Sequence, residues 1–224
     1  MLNKLITQQL WFARRNIKLY MKLDENCTTK LLKKNHPRGW FFVIIKYMKL
    51  YLVRHGQTDW NLNHKAQGQT DIPLNATGIR QAEELGDKLK NYQFDKCYVS
   101  PLKRAAQTAE IAVGNRTEFI FLDDLKERCF GSLEGTNPKT WEGDNLDLKT
   151  NINFGGMESI KDLLARSKRV LERIKAENSA DAKILIVGHG SFLKTMHFNI
   201  VGYTDETDFR SFRLENGDMA EYEI

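Results

Sequence analysis

The stretch Leu52–Asn61, with the sequence LVRHGQTDWN, places an arginine, a histidine and a glycine directly after a short apolar run. The apolar residues before Arg54 predict a β-strand, and ligands of open α/β sheets bind just beyond the carboxyl ends of such strands. Gly56 has no side chain, so a bulky anion can approach the imidazole of His55, while the guanidinium of Arg54 offers a planar fork to phosphate oxygens. The stretch therefore indicates phosphate chemistry, although a histidine beside an arginine is, taken alone, more often a surface or structural residue.

The positive charge of the chain is confined to its N-terminal part. The 224 residues carry a net charge of +5, and residues 1–47 hold ten Lys and Arg against two Asp and Glu. Residues 48–224 therefore hold 24 basic and 27 acidic side chains, a net charge of −3. The length of this part of the chain suits one domain with a single core. Because this domain is mildly acidic, its charge does not indicate nucleic acid as a partner.

Residues 1–47 also differ from the rest in pattern. They combine basic residues with scattered aromatics, show only weak helical periodicity, and contain a predicted turn at His36–Gly39. A coherent strand pattern starts only at Met48. We therefore predict a basic N-terminal extension, disordered or not native, over residues 1–47 and a domain over residues 48–224. Two alternatives stay open: a basic amphipathic tail that contacts a membrane or nucleic acid, and an added edge strand at Trp40–Ile45.

Cysteine usage and the length of apolar runs bear on the compartment. Cys27, Cys97 and Cys129 are odd in number and lack CxxC spacing, which speaks against a zinc site and a disulfide framework and favours a reducing cytoplasm. The longest strongly apolar run, Trp40–Ile45, is far shorter than the roughly 18 residues that a membrane span needs. Polar and basic residues interrupt the N-terminus, so a secretory signal is not predicted.

Helical and strand patterns alternate along the rest of the chain. Strands are predicted at 49–53, 96–99, 118–122 and 183–187, and helices after Thr77 and at 102–113, 158–176 and 191–201. Two helices have a face that is predicted to pack in the core. In the helix after Thr77 these residues are Ile79, Ala82, Gly86 and Leu89, and in the helix at 158–176 they are Ile160, Leu163, Leu164, Ser167, Val170, Leu171 and Ile174. The last residues predict an antiparallel hairpin of 209–214 and 219–224 around the turn Asn216–Gly217. Together these elements predict an α/β fold of three layers, with helices on both faces of a mostly parallel sheet and an antiparallel hairpin at its edge.

Three more polar residues fall where such a sheet would gather them. Arg104 lies in the first turn of a helix that Ser100–Pro101 is predicted to open, and helix N-termini attract anions. His189, between two glycines, follows a continuously apolar strand in the way that His55 follows the first strand. Glu127 lies in a loop without a period. Taken alone, Arg104 and Glu127 are more simply explained as solvated side chains.

Four motifs, in a fixed order, carry a family resemblance. They are RHGQTDWN from residue 54, SPLKRAAQTAE from residue 100, LKERCFGSLEG from residue 125 and VGHG from residue 187. Together they resemble the histidine phosphatase superfamily, also called phosphoglycerate mutase-like, over residues 48–224. The resemblance implies a phosphoglycerate mutase-like fold and transfer of a phosphoryl group to a histidine, with no metal and no other cofactor.

The resemblance also implies roles for five residues. His55 matches the nucleophile that becomes a phosphohistidine, and Glu127 matches the proton donor. Arg54, Arg104 and His189 match the residues that hold the phosphate oxygens. This chemistry agrees with elementary rules, since a neutral imidazole is nucleophilic near pH 7 and two guanidiniums can offset the charge of the transferred group.

Candidate substrate contacts follow the same motifs. Asn61, Gln67 and Gly68 match family positions that line the phosphate or substrate pocket. Thr58 is a further candidate, and Ser191 is a candidate backbone donor at a helix start. The resemblance implies a small-molecule phosphomonoester as the partner and a chain that acts as a monomer or homodimer.

Departures from the family pattern bear on the reaction. Cys129 stands where cofactor-dependent mutases commonly carry a histidine, and only a short segment follows Gly135 where mutases carry a long insertion. Without that insertion water reaches a phosphoenzyme more easily, so a metal-independent phosphomonoesterase is predicted. A cofactor-dependent phosphoglycerate mutase and a non-catalytic phospho-ligand binding module are the alternatives. The extra Met157 in residues 155–159 leaves the role of that loop open.

Overall fold

The fold is given by a computed structural model, which describes residues 29–36, 39–141 and 146–224. Two strands come first, β1 (Thr29–His36) and β2 (Gly39–Lys46). They pair antiparallel along their whole length. Among the described residues, this pair forms a two-stranded sheet that is separate from the main sheet.

The main sheet has five strands in the described part of the chain. They are β3 (Lys49–Arg54), β4 (Lys96–Val99), β5 (Phe119–Phe121), β6 (Lys183–Gly188) and β7 (Met219–Glu223). Their order across the sheet is β5-β4-β6-β3-β7. The first four run parallel, and β7 is antiparallel to β3. The carboxyl ends of β4, β6 and β3 therefore lie side by side.

Helices cover both faces of this sheet. The α-helices of the described residues are α1 (Asp59–Leu62), α2 (Ala76–Leu89), α3 (Lys103–Ala112), α4 (Ile160–Glu177) and α5 (Gly190–Val201). Because successive side chains of a strand point to opposite faces, β3 and β6 contribute to two cores. Leu50 and Ile186 pack with α4 and α5, whereas Val53 and Leu185 pack with α2 and α3. This arrangement confirms the predicted three-layer α/β fold with a mostly parallel sheet.

The long helix α4 follows its sequence pattern. All residues of the predicted apolar stripe are buried in the structure: Ile160, Leu163, Leu164, Ser167, Val170, Leu171 and Ile174. The helix begins two residues later than predicted, after Ser159, whose side chain accepts the N–H of Asp162. The 3.6-residue period thus determined the buried face correctly.

The start of α2 differs from the prediction. The helix begins earlier, because the side chain of Asn75 caps it by accepting the N–H of Gly78. Ile79, predicted to face the core, is 42% exposed. Gly78 turns inward instead, and a Cβ at this position would lie 2.1 Å from the carbonyl oxygen of Gln57. Close backbone approach, rather than apolar character, therefore sets the buried face at this end.

Residues 209–214 do not form the predicted hairpin strand. Phe209–Ser211 is a 3-10 turn, and β7 pairs with β3. Phe209 is buried, and its ring centroid lies 4.5 Å from that of Phe198 on α5. The segment is packed over α5, so β7 stands alone as the antiparallel edge strand.

The structure also places strands in part of the predicted N-terminal extension. Trp40–Ile45 lies within β2, which pairs with β1 and not with the main sheet. Cys27, the weak helical periodicity before residue 20 and the tip of the predicted turn at 37–38 lie outside the described residues. No helix of the described residues has the length and apolar character needed to cross a membrane.

Candidate active site

The carboxyl ends of three adjacent strands assemble the site. Ser100 follows β4, His189 follows β6, and His55 follows β3. The ring centroids of the two histidines are 5.1 Å apart. Both rings and the side chain of Arg104 are buried. The structure thus brings together residues that three separate motifs supplied.

The hydrogen bond of His55 determines which of its ring nitrogens is free. Its Nδ1 atom lies 2.7 Å from the carbonyl oxygen of Gly56. A carbonyl oxygen can only accept, so Nδ1 carries the proton and Nε2 keeps its lone pair. Burial, followed by the positive charges of Arg104 and Arg54, lowers the pKa of His55 well below its ordinary value. The ring is therefore neutral at pH 7, which is the form of a nucleophile.

Gly56 is required by the packing of the backbone. A Cβ at this position would lie 2.4 Å from the carbonyl oxygen of Gly78, at the start of α2. Its N–H donates to the Oγ1 atom of Thr108 on α3 at 3.0 Å. The missing side chain therefore lets α2 approach the end of β3. The sequence indicated only one reason for a glycine here, which was access for an anion, and the packing of the helix is a second reason.

Arg104 and His189 form a buried hydrogen-bonded pair. Arg104 Nε donates to His189 Nδ1 at 3.2 Å. Since Nδ1 accepts, the ring proton is on Nε2, which donates to Ser100 Oγ at 2.7 Å. The other two guanidinium nitrogens donate to the carbonyl oxygens of Gly68 and Thr70, at 2.7 and 2.9 Å. Burial lowers the pKa of Arg104 to about 10, so this side chain stays charged at pH 7.

Ser100 does not cap α3, contrary to the prediction. The N-cap residue is Leu102, which has no side-chain capping bond. Ser100 Oγ accepts only a long bond of 3.4 Å from the N–H of Leu102 and is engaged mainly by His189. Sequence reasoning therefore missed a residue of the site, because a serine that follows a strand gives the same signal as a helix cap.

Arg54 has an open hydrogen-bond donor in the site. Its Nη1 atom donates to the carbonyl oxygen of Leu214 at 2.7 Å. Its Nε atom is buried and has no hydrogen-bond partner within the described ranges. A Cβ at Gly190 would lie 3.4 Å from this nitrogen, so the start of α5 lies beside it. Buried polar groups without a partner are rare, and a phosphate oxygen would satisfy this one.

Glu127 is held against the N-terminus of α5. Its Oε1 atom accepts the N–H groups of Arg128 and Phe192 at 2.8 and 3.0 Å, and its Oε2 atom accepts that of Ser191 at 3.1 Å. These bonds fix the orientation of a carboxyl group that the sequence places in an irregular loop. The backbone donor predicted at Ser191 exists, but its acceptor in this structure is Glu127.

The model of the histidine phosphatase superfamily (branch 1) matches residues 50–224, the part of the chain that carries this site. The chain belongs to this family. This membership confirms the resemblance that the four sequence motifs carry.

Curated relatives of this histidine phosphatase include phosphatases and mutases. The "Uncharacterized phosphatase PhoE" of Bacillus subtilis (strain 168) is 40% identical over 178 residues, 77% of this chain and 86% of that protein. The metal-independent phosphoserine phosphatase of Arabidopsis thaliana is 34% identical over 68% of each chain. A 2,3-bisphosphoglycerate-dependent phosphoglycerate mutase of Nitrosococcus oceani is 30% identical over 70% of this chain and 82% of that protein.

Solved structures of the histidine phosphatase fold agree with this assignment. The phosphoserine phosphatase of Entamoeba histolytica, in complex with 3-phosphoglyceric acid, is 31% identical with a TM-score of 0.66, over 78% of this chain and 89% of that chain. The alpha-ribazole phosphatase of Shigella flexneri is 26% identical with a TM-score of 0.66, over the same shares of the two chains. The predicted phosphoglycerate mutase-like fold is thereby confirmed.

Two predicted substrate-binding residues of this histidine phosphatase cap a short helix. The N–H of Asn61 donates to Thr58 Oγ1 at 3.2 Å, and the N–H of Thr58 donates to Asn61 Oδ1 at 3.1 Å, a reciprocal capping box at the start of α1. Asn216 Nδ2 also donates to Asn61 Oδ1 at 3.4 Å. Because these oxygens already have partners, substrate binding by Thr58 and Asn61 stays a prediction.

Gln67 and Gly68 lie beside the buried guanidinium. Gln67 is buried, and its Oε1 atom has no hydrogen-bond partner among the residues that the structure describes. The carbonyl oxygen of Gly68 accepts a hydrogen bond from Arg104, and a Cβ at Gly68 would lie 2.0 Å from Glu134 Oε1. Glu134, which the sequence analysis missed, accepts the N–H of Thr70 at 2.9 Å and so fixes the loop that holds Arg104. The sequence LEG at the end of the third motif, which contains Glu134, was the signal from which this residue could have been predicted.

Two arginine side chains supply positive charge to the site. In the described ranges, no group of three or more His, Cys, Asp or Glu residues is arranged to hold a metal ion. Arg54 and Arg104 supply the positive charges that act on His55. The side chains of the site suit nucleophilic attack by an imidazole next to two guanidiniums and one carboxyl group.

Proposed function

We propose that the chain is a metal-independent phosphomonoesterase that hydrolyses a small phosphorylated metabolite through a phosphohistidine on His55. The observation that carries the proposal is the buried, neutral ring of His55, whose Nε2 lone pair is free beside Arg54 and Arg104. Cations that disfavour a protonated imidazole also attract the phosphoryl group that the imidazole attacks. The phosphatases among the relatives support the same reaction class.

The first step of this reaction breaks the ester bond. His55 Nε2 gives its lone pair to phosphorus while the bond between phosphorus and the alcohol oxygen breaks. Glu127 gives a proton to the leaving oxygen, and its Oε2 atom, which accepts one hydrogen bond where Oε1 accepts two, is better placed to carry that proton. Arg54 and Arg104 offset the charge on the three remaining oxygens.

The second step restores the resting site. A water molecule attacks phosphorus and gives a proton to the carboxylate of Glu127. The nitrogen–phosphorus bond breaks, and its electron pair returns to His55 Nε2. The products are an alcohol and inorganic phosphate, and both side chains regain their starting protonation.

A phosphoglycerate mutase is the second candidate, because a mutase is also among the relatives. Cys129 places a thiol where such mutases commonly carry a histidine. Between Gly135 and α4, the described residues form only short 3-10 turns. A lid helix is thus lacking in that described part, so water has access to the phosphoenzyme and hydrolysis is favoured over transfer.

Phosphate release from p-nitrophenyl phosphate in the presence of EDTA tests the proposal. Turnover should persist with the chelator and disappear in His55→Ala. His64→Asn is the matched control and should keep the full rate, because His64 is exposed and its positive φ of 53° suits asparagine. Binding of phosphate without turnover of any phosphomonoester would show a binding module. Interconversion of 2- and 3-phosphoglycerate faster than hydrolysis, with a bisphosphate primer, would show a mutase.

A further inference from the structure

Met157 and Glu158 belong to a segment whose role the sequence alone leaves open, and this segment lies against the loop of Glu127. The N–H of Glu158 donates to the carbonyl oxygen of Cys129 at 2.9 Å. The carbonyl oxygen of Glu158 accepts a bond of 2.7 Å from the Nε atom of Arg128. The extra residue, Met157, is buried. The segment is therefore anchored in the fold and bonded to the two residues that follow Glu127.

The carboxylate of Glu158 forms a bidentate pair with Arg166 of α4. Arg166 Nε donates to Glu158 Oε1 at 2.9 Å, and Arg166 Nη2 donates to Glu158 Oε2 at 2.7 Å. The two side chains are only 11% and 17% exposed. Desolvation offsets much of the attraction in a pair this buried, whereas two parallel hydrogen bonds fix its geometry. The main effect of Glu158 is therefore to fix the orientation of the guanidinium.

The remaining N–H groups of Arg166 hold the backbone around Glu127. Arg166 Nη1 donates to the carbonyl oxygens of Asp124 and Lys126, at 2.6 and 2.8 Å. Arg166 Nη2 donates to the carbonyl oxygen of Glu127 at 3.3 Å. A guanidinium has five N–H groups, and these three bonds together with the two to Glu158 use all of them. Arg166 therefore acts on this loop and has no donor left for a substrate.

Arg166 also contacts a residue that binds the carboxyl group of Glu127. Its Cζ atom lies 5.0 Å from the ring centroid of Phe192 on α5, within the range of a cation–π contact. The N–H of Phe192 donates to Glu127 Oε1 at 3.0 Å. One guanidinium thus contacts the backbone of Glu127 and a residue that holds its side chain.

We propose that Arg166, fixed by Glu158, is a positioning residue that places the carboxyl group of Glu127 for proton transfer to the leaving oxygen. This inference rests on the proposed function, in which Glu127 is the proton donor. Proton transfer needs its donor within hydrogen-bond reach, about 2.6–3.2 Å, so a shift of the loop by about 1 Å slows it. Arg54 and Arg104 are held by bonds to other segments, so a change at Arg166 reaches the reaction through Glu127.

The leaving group of the substrate tests this assignment. p-Nitrophenolate departs with little need of a proton, whereas the alkoxide of glycerol 3-phosphate needs one, and the measured quantity is the ratio of kcat on the alkyl ester to kcat on the aryl ester. Arg166→Lys keeps the charge but not the five-donor fork, so this ratio should fall about tenfold or more. Glu158→Gln keeps the shape of the partner and should also lower the ratio. Equal losses on both esters in these variants would show a purely structural role and overturn the inference.

Two further variants show whether Arg166 acts through Glu127. Arg173→Lys changes an exposed arginine of the same helix, which pairs with Glu177, and should leave the ratio unchanged. The double variant Glu127→Gln/Arg166→Lys should have the ratio of Glu127→Gln alone, because a positioning residue acts only through the group that it positions. A further fall of the ratio in the double variant overturns the inference.

Hydrogen exchange separates this inference from the proposed function, because it needs no turnover. In Arg166→Lys the amide groups of Ser191 and Phe192 should exchange about tenfold faster, since both donate to the carboxyl group of Glu127, and in Arg173→Lys they should not. If this change occurs although the unaltered chain releases no phosphate from any ester, the positioning of Glu127 stands and the phosphatase proposal fails. Unchanged exchange at both amides overturns the positioning inference alone.

Discussion

The Nε2 atom of His189 lies 2.7 Å from the Oγ atom of Ser100, while Nδ1 of the same ring accepts from Arg104. A hydroxyl group can accept from or donate to an imidazole nitrogen. Because Nδ1 accepts from Arg104, the ring proton is on Nε2 and Ser100 Oγ accepts it. Ser100 therefore supports the orientation and the tautomer of a ring that is fully buried.

Ser100→Ala removes this support. We expect kcat to fall about tenfold or more through the misoriented ring, and the free energy of unfolding to fall by about 1–3 kcal/mol because a buried donor loses its acceptor. Ser132→Ala is the control, since its hydroxyl donates to Gly155 at an exposed position. The measurements are steady-state kinetics and urea unfolding. Unchanged kcat in a less stable variant would show that Ser100 serves the fold and not the reaction.

A phosphohistidine on His55 should be trapped by rapid alkaline quench with labelled substrate. The free Nε2 lone pair of a buried neutral ring makes this nitrogen the expected acceptor. The label should be acid-labile and base-stable, because a phosphorus–nitrogen bond hydrolyses in acid, and it should be absent from His55→Ala. Label that survives acid on a serine would refute the assignment.

Glu127→Gln should slow hydrolysis according to the leaving group. Alkyl phosphates, which need a proton on the departing oxygen, should lose about 10² or more in kcat, while aryl phosphates lose less. Exposed Glu84 on α2 provides the matched control, Glu84→Gln, with no expected change. Equal losses on both classes of ester would mean that Glu127 positions α5 through its bonds to Ser191 and Phe192 but does not donate the proton.

Stability should fall on the acid side of neutrality because of two buried histidines. Burial, and after it Arg104, lowers the pKa of both His55 and His189 well below the ordinary value near 6.5. Below about pH 6.5 the unfolded chain binds protons that the native sites do not, so the free energy of unfolding decreases as the pH falls, by up to about 1.4 kcal/mol per pH unit for each histidine. Urea unfolding between pH 5 and pH 8 measures this slope. His55→Asn should reduce it and His64→Asn should not; the same slope in both variants would contradict the argument.

We propose that the domain folds without the segment before residue 47. The ion pair that joins Lys46 of that segment to Asp181 of the domain, at 2.6 Å, is exposed and contributes little to stability. A chain that begins at Tyr47 should keep its melting temperature and activity, and its lower net charge, −3 instead of +5, should make it elute earlier from cation exchange. A chain that begins at Met48 should melt lower, because Tyr47 is buried. A drop of several degrees in the chain that begins at Tyr47 would show that the preceding strands belong to the fold.

Local periodicity predicted much of the fold. The stripe of α4 is predicted correctly, because a helix with one buried face repeats its apolar residues at the period of its backbone. The strands at 49–53 and 183–187 are predicted correctly, because a strand that is buried on both faces is continuously apolar. The prediction failed where backbone contacts or long-range packing decide. Gly78 faces inward through its approach to Gln57, and Phe209 packs on α5 where the pattern predicts a strand.

The sequence by itself determined the family and the reaction class, because four ordered motifs carry the residues that phosphoryl transfer to histidine needs. Only the tertiary structure decided which partner each polar group takes. Ser100 meets His189 across 89 residues of chain, and Arg54 meets the carbonyl of Leu214 across 160. Hydrogen bonds are short and directional, so they depend on how segments that are distant in the chain are placed in space. A pattern among neighbouring residues does not determine that placement.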